Sequence, residues 1–116
     1  QVLLNLLSNA RDAIVARGIP SGTIIVAARE ENGMGVVTVH DNGVGIPEAI
    51  LDKIFDPYFS TKETGTGIGL YMSKMIIERS MGGYITVDHF GDGCRFTLAV
   101  PLASTITRTT VSATIQ

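Results

Sequence analysis

The segment Asp41-Asn42-Gly43-Val44-Gly45-Ile46-Pro47 constrains the fold more than any other stretch of this chain. The β-branched run from Gly35 to His40 reads as a strand, and it must stop where two glycines and a proline follow. A carboxylate, Asp41, is thereby set at a strand end beside backbone with almost no side chains. Asp-Asn-Gly is ordinary turn chemistry, and for a segment in isolation a plain turn is the commoner outcome. The same corner can also form the wall of a ligand pocket, because Gly43 and Gly45 let another group approach the backbone closely.

The rest of the chain supplies a frame for that corner. Leu3, Leu6, Leu7, Ala10, Ala13 and Ile14 recur at helical spacing, which predicts a helix from the start to about Arg17, stopped by Gly18 and Pro20. Asn5, Asn9 and Asp12 fall on a different face of it. Thr23 to Arg29 reads as a strand, and Glu30-Glu31-Asn32-Gly33 as the turn of a hairpin with the strand before Asp41. Pro47 and Glu48 should open a short helix ending near Phe55. Asp56 to Gly67 shows no period and is long enough for a functional lid. Helical spacing resumes from Ile68 through Ile77 to Met81 and ends at Gly82-Gly83. Tyr84 to Asp88 and Arg95 to Val100 read as two more strands, joined by Phe90-Gly91-Asp92-Gly93, with Pro101 ending the sheet. The expected fold is α+β: a two-layer α/β sandwich, with a mixed, mainly antiparallel sheet and helices on one face. Residues 1–102 would form one domain. Residues 103–116, rich in Thr, Ser and Ala, would be a tail or linker, with an extra edge strand or a non-native extension as the other readings.

Composition narrows the partners. The 116 residues suit a single domain, and 45% apolar residues are enough for a core. A net charge of −2 gives no reason to expect nucleic acid or an anionic membrane. No apolar run approaches the roughly 18 residues that span a bilayer. Cys94 is the only cysteine, so no disulfide framework is available and a cytoplasmic setting is expected. Gln1 precedes an apolar helical run with no cap, which reads as a fragment of a longer protein.

Several residues have the chemistry to hold a nucleotide. Asp41 could accept a hydrogen bond from the exocyclic amine of adenine. Asn5 and Asn9 lie one helical turn apart and project alike; an amide oxygen can ligate Mg²⁺, although an isolated pair is more often a polar helix face. Gly65-Thr66-Gly67-Ile68-Gly69-Leu70 opens a helix, where free amides and the dipole favour phosphate. It is neither a Walker loop nor a dinucleotide fingerprint, and alone it is a weak signal. Lys62 is close enough in sequence to reach the same phosphates, though a lone lysine is usually a solvated charge. Phe55, Tyr58 and Phe59 could anchor the lid against the core. His40 and His89 lack metal-ligand spacing and read as structural or surface histidines.

Taken together and in this order, Asn5-Leu6-Leu7-Ser8-Asn9-Ala10, Asp41 to Pro47, Phe55 to Lys62 and Gly65 to Leu70 resemble the ATP-binding catalytic domain of histidine kinases. The wider family includes type II topoisomerase, heat-shock chaperone and mismatch-repair ATPases and has a Bergerat-type ATP-binding fold. The resemblance covers about residues 1 to 101. It implies ATP and Mg²⁺ as cofactors, with Asn9 the Mg²⁺ ligand and Asn5 and Lys62 catalytic residues near the phosphates. It implies that Asp41 recognises adenine, with Gly43, Gly45 and Ile46 shaping the pocket, and that Phe55 and Phe59 form the aromatic box. Asp12, Thr64, Gly65, Thr66, Gly67, Ile68, Gly69 and Leu70 complete the implied nucleotide contacts. The ATPase branches carry a Glu four residues before the Mg²⁺-ligating Asn; here that position is Asn5, and an amide is no general base near neutral pH. The implied activity is therefore transfer of the γ-phosphoryl group to a histidine in two-component signalling, not brisk hydrolysis. The implied partners are a dimerising histidine phosphoacceptor domain upstream, a response regulator, and a second copy of the full-length protein. The fragment itself should bind ATP but not phosphorylate itself. A protein serine kinase of the anti-sigma type, an ATPase clamp and a degenerate interaction module remain as alternatives. Cys94 departs from the Ser or Thr often found there in the family, which puts any hydroxyl contact at that position in question.

Overall fold

The computed structural model describes residues 1–59, 68–102 and 111–115. Helix α1, Val2–Arg17, forms where the aliphatic period predicts it. It ends at Gly18, whose φ of 72° is left-handed and whose N–H donates back to Ile14 O and Val15 O, so a glycine stops the helix at little steric cost. β1 (Ile24–Glu31) and β2 (Met34–Asp41) form the first hairpin around Asn32-Gly33. β3 (Tyr84–Phe90) and β4 (Gly93–Pro101) form the second, longer than the spacing predicts and turning on Gly91 and Asp92 alone.

The two hairpins meet through β2 and β4, and β5 (Val111–Ile115) joins the outer edge of β1. The strand order is β3-β4-β2-β1-β5, and every pairing among the described residues is antiparallel, where a mixed sheet was expected. Within the predicted tail, residues 111–115 thus lie in the sheet.

Pleating puts Ile24, Val39, Ile85, Cys94, Phe96 and Leu98 on one face. Against that face pack Leu6 and Ala10 of α1, Ile54, and Ile77, all essentially out of water. Burial of Leu6, Ile54 and Ile77 contributes about 1.5–3 kcal/mol each, and that of the Ala10 methyl less. The opposite face mixes Thr38, Thr86 and Thr97 with apolar side chains such as Val36, Tyr84 and Phe90, and the core helices lie on the first face, so the described residues form two layers.

Two helical expectations need correction. The short helix predicted from Pro47 to Phe55 is a single 3-10 turn, Glu48–Ile50, followed by turns; its i→i+3 bonds run from Ile50 N to Pro47 O and Leu51 N to Glu48 O. Its strong local signal, Pro then Glu, specifies a helix start, but too little apolar period follows to sustain one. The helix predicted from Ile68 to Met81 is α over Gly69–Met75 (α2) and π-helical over Ile76–Ser80. The widened turn keeps Ile77 buried and delivers Gly83 to β4, where a Cβ would overlap the Ala99 carbonyl oxygen.

Candidate functional site

Asp41 ends β2 and is 2% exposed, a buried charge-bearing group that needs partners. Its Oδ1 accepts the Gly43 N–H at 2.9 Å, and its Oδ2 accepts the Cys94 thiol at 3.5 Å. Burial raises the Asp41 pKa above its ordinary 3.8, while the bonds from Gly43 and Cys94 oppose that shift. The Cys94 thiol is pushed up to about 12, first by burial and then by the Asp41 charge. Cys94 therefore stays a neutral donor, doing at longer range what a hydroxyl would do.

The backbone around Asp41 is crowded. A Cβ on Gly93 would overlap the Asp41 carbonyl oxygen, and a Cβ on Gly43 would overlap the Ala13 carbonyl carbon and the Ile14 nitrogen of α1. Gly43 is thus required by the helix behind it. A Cβ on Gly45 would make only ordinary contacts, at 3.7 Å from Asp92 O and 3.8 Å from Gly93 O, so packing does not demand a glycine there.

Asn42 locks the loop to its surroundings. Its Oδ1 accepts the Thr23 N–H at 2.8 Å, its Nδ2 donates to Ser21 O at 2.9 Å, and its carbonyl accepts Arg17 Nη1 at 2.7 Å. One residue on from Gly43, the Val44 N–H donates to Ala13 O at 3.0 Å. The end of α1 and the glycine loop are therefore one rigid corner.

The other end of α1 meets α2. Asn5 Nδ2 donates to Ser73 Oγ at 3.2 Å and approaches Gly69 O at 3.4 Å, while Ser73 Oγ donates to Gly69 O at 2.9 Å. From Asn5 to Ala13 the helical rise is about 12 Å. Asn9 and Asp12, both half-buried, lie along that span, and Asp12 also pairs with Arg11 at 3.3 Å. Ile68 and Leu70 flank Gly69 at the start of α2, with Leu70 packed on the core. Ile46 and Phe59 pack on the same core, as does Phe55, whose ring meets Phe96 edge-on at 6.2 Å. Lys74 Nζ lies 5.4 Å from the Phe55 ring centroid. Tyr58 does not share this role: it is 78% exposed at a φ of 66°. Lys62, Thr64, Gly65, Thr66 and Gly67 lie outside the described residues.

The structure thus brings Asp41, Gly43, Gly45 and Ile46 together at one end of α1, and Asn5, Gly69 and Leu70 at the other. Sequence reasoning missed Asn42, Arg17, Ser73 and Gly93 as parts of this site. Only the Asn-Gly pair carried a local signal, and it read as a turn. A groove of about 550 Å³ lined by Ile14, Val15, Ile19 and Ile115 lies between α1 and β5 and includes none of the predicted site residues.

Known proteins resemble this chain in sequence and fold. The profile of the family described as histidine kinase-, DNA gyrase B-, and HSP90-like ATPase matches residues 1–104. The two-component sensor PprA of Pseudomonas aeruginosa is 42% identical over 109 residues, which is 90% of this chain and 12% of PprA. The nucleotide-free catalytic domain of histidine kinase ThkA superposes with a TM-score of 0.77 at 37% identity, over 87% of this chain and 64% of that one. ThkA in complex with the response regulator protein TrrA gives a TM-score of 0.70 at 35% identity, over 87% of this chain and 27% of that one. The chain belongs to the histidine kinase-, DNA gyrase B- and HSP90-like ATPase family, and its relatives are sensor histidine kinases.

Proposed function

We propose that this chain binds Mg-ATP and donates the γ-phosphoryl group to a histidine on a separate dimerisation and phosphoacceptor domain. The observation that carries the reading is the buried Asp41 carboxylate, held by Gly43 and Cys94 beside a glycine loop. A carboxylate has about four lone-pair sites, so it has capacity to accept from the adenine amine as well. Residues 1–102 would form the nucleotide-binding domain.

At the phosphate end, Asn9 would be the Mg²⁺ ligand. Among the described residues no group of three or more His, Cys, Asp or Glu could hold a metal. One amide oxygen suits a cation that arrives on the nucleotide, since Mg²⁺ commonly takes one or two protein ligands plus substrate phosphates. The metal would neutralise phosphate charge. The chain's own contribution is to fix the nucleotide between Asp41 and the start of α2, with Lys62 and the Gly65–Gly69 amides balancing the phosphates.

Asn5 argues for transfer over hydrolysis. Its amide is no general base, and its donor is committed to Ser73 and Gly69 O. The native chain alone should turn over ATP very slowly, and brisk turnover would contradict the assignment. The chain covers a small part of its relatives' length. We assign the phosphoacceptor histidine, the homodimer and the response regulator to the full-length protein, with this domain in the cytoplasm. No helix among the described residues is long and apolar enough to cross a membrane.

Calorimetric titration of ATP into the chain, with and without Mg²⁺, tests the reading. Binding is expected, with tighter binding when Mg²⁺ is present, and Asp41→Asn should weaken it about 10- to 100-fold. A folded native chain that binds no ATP would favour an interaction module.

A further inference from the structure

We propose that His89 is a positioning residue for the adenine loop, acting from outside the pocket as part of a brace formed by the β3–β4 hairpin. The inference rests on Asp41 and its loop being the adenine site.

The loop leaves β2 at Asp41 and re-enters regular structure at Glu48. Its first half is fixed by α1 through the bonds to Asn42 and Val44. Its second half has no such support from α1. There the described bond comes from across the sheet: His89 Nε2 meets the Ile46 carbonyl oxygen. A carbonyl only accepts, so the ring must carry its proton on Nε2.

The sheet register explains why His89 can reach. It pairs directly with Cys94, so the two side chains stand on the same face, and Cys94 is the residue that bonds Asp41. Moving outward two strands from the recognition carboxylate leads from Asp41 in β2 to Cys94 in β4 to His89 in β3, and His89 then turns back onto the loop. His40 sits on the opposite face, where it meets the Phe90 carbonyl and ring, and cannot substitute.

A second tie closes the same gap. Arg17 bonds the Asn42 carbonyl through Nη1 and lies 3.5 Å from Asp92 through Nη2. Asp92 is in the β3–β4 turn, whose backbone borders Gly45. The hairpin thus touches the loop at Gly45, holds Ile46 through His89, and is linked to α1 through Arg17. The brace orders the loop before ligand arrives, which lowers the entropic cost of binding.

His89 is exposed, so its replacement leaves the core intact. The test uses the whole chain with ADP as probe, comparing native, His89→Ala and His89→Gln. A Gln amide nitrogen can reproduce the Nε2 donor, so the pair separates the hydrogen bond from ring packing. Calorimetry gives affinity, and amide hydrogen exchange of Gly43 to Ile46 in the ligand-free chain reports the loop. The expected result is faster exchange and ADP affinity lower by about threefold to tenfold in His89→Ala, both largely restored in His89→Gln. Native-like affinity and exchange in His89→Ala would overturn the brace while leaving the pocket assignment intact. Equal loss in both variants would also overturn it, by showing that ring packing matters and the donor does not. A native chain that binds no ADP would remove the pocket assignment and the role of His89 with it.

Discussion

The two ends of α1 hold the two ends of the site in different ways. At the Arg17 end, the glycine loop is pressed against helix and sheet so closely that Gly43 and Gly93 have no room for a Cβ, and Asp41 is buried with protein donors on both oxygens. At the Asn5 end, the contact between α1 and α2 is a side-chain bridge, half-buried, with bonds of 3.2 and 3.4 Å. On the proposed reading, base recognition would need a carboxylate fixed in space, and close-packed backbone would provide that. On the same reading, the phosphate end would need groups that can adjust around the nucleotide, and side-chain bridges between two helices would allow it.

Alanine at the two kinds of glycine gives the widest contrast. Gly93→Ala should cost about 3 kcal/mol or prevent folding, because the new methyl meets backbone that cannot move. Gly69→Ala should change stability by less than about 1 kcal/mol, since its Cβ would meet only Asn5 at ordinary contact distance. Urea denaturation of both variants measures this, and equal losses would erase the distinction.

Nucleotide binding should divide along the same line. Asp41→Asn is expected to weaken ADP about 10- to 100-fold whether or not Mg²⁺ is present. Asn9→Ala should leave Mg²⁺-free ADP affinity within about twofold of native and reduce the gain on adding the metal. Calorimetry with and without Mg²⁺ separates the two, and loss of metal-free binding in Asn9→Ala would place Asn9 in the base site.

Asn5→Ala tests the bridge. Removing two long, partly solvated hydrogen bonds should lower stability by at most about 1 kcal/mol and leave ADP affinity unchanged. Thermal unfolding and ADP titration read the two quantities, and a large affinity loss would mean that Asn5 touches ligand.

The smallest effect is electrostatic. Burial raises the Asp41 pKa in the folded chain above 3.8. Over the window from that ordinary value up through the folded pKa, the native state binds more protons than the unfolded state. Asp41 therefore contributes a stability that is present at low pH and lost as pH rises through the folded pKa. Asp41→Asn lacks this slope. Compared with native in the ligand-free state, it should gain in melting temperature on going from pH 4 to pH 7. A constant difference across that range would show that Asp41 is not destabilised by its burial.

Much of the frame was legible in the sequence. The aliphatic period of α1, the Gly18 stop, both hairpins and the position of Asp41 at a strand end are local signals, written in neighbouring residues. The 3-10 turn at Glu48 and the π-helical end at Ile76–Ser80 were not legible, and the edge strand Val111–Ile115 was only one of several readings of the tail, with its place beside β1 undecided. Each depends on what distant parts of the chain offer as packing surface or open hydrogen-bonding edge.

The site shows the same division. Sequence by itself determined which chemistry was available: a carboxylate beside glycines, two asparagines one helical turn apart, and no general base at position 5. Tertiary structure alone decided that Gly43 serves the helix behind it, that Cys94 and Asn42 hold Asp41 and its loop, and that Asn5 faces Ser73. Residue types and short spacings are properties of the chain. The partner of a buried polar group is chosen by the need to satisfy it wherever folding leaves it, and that choice is settled only when remote segments meet.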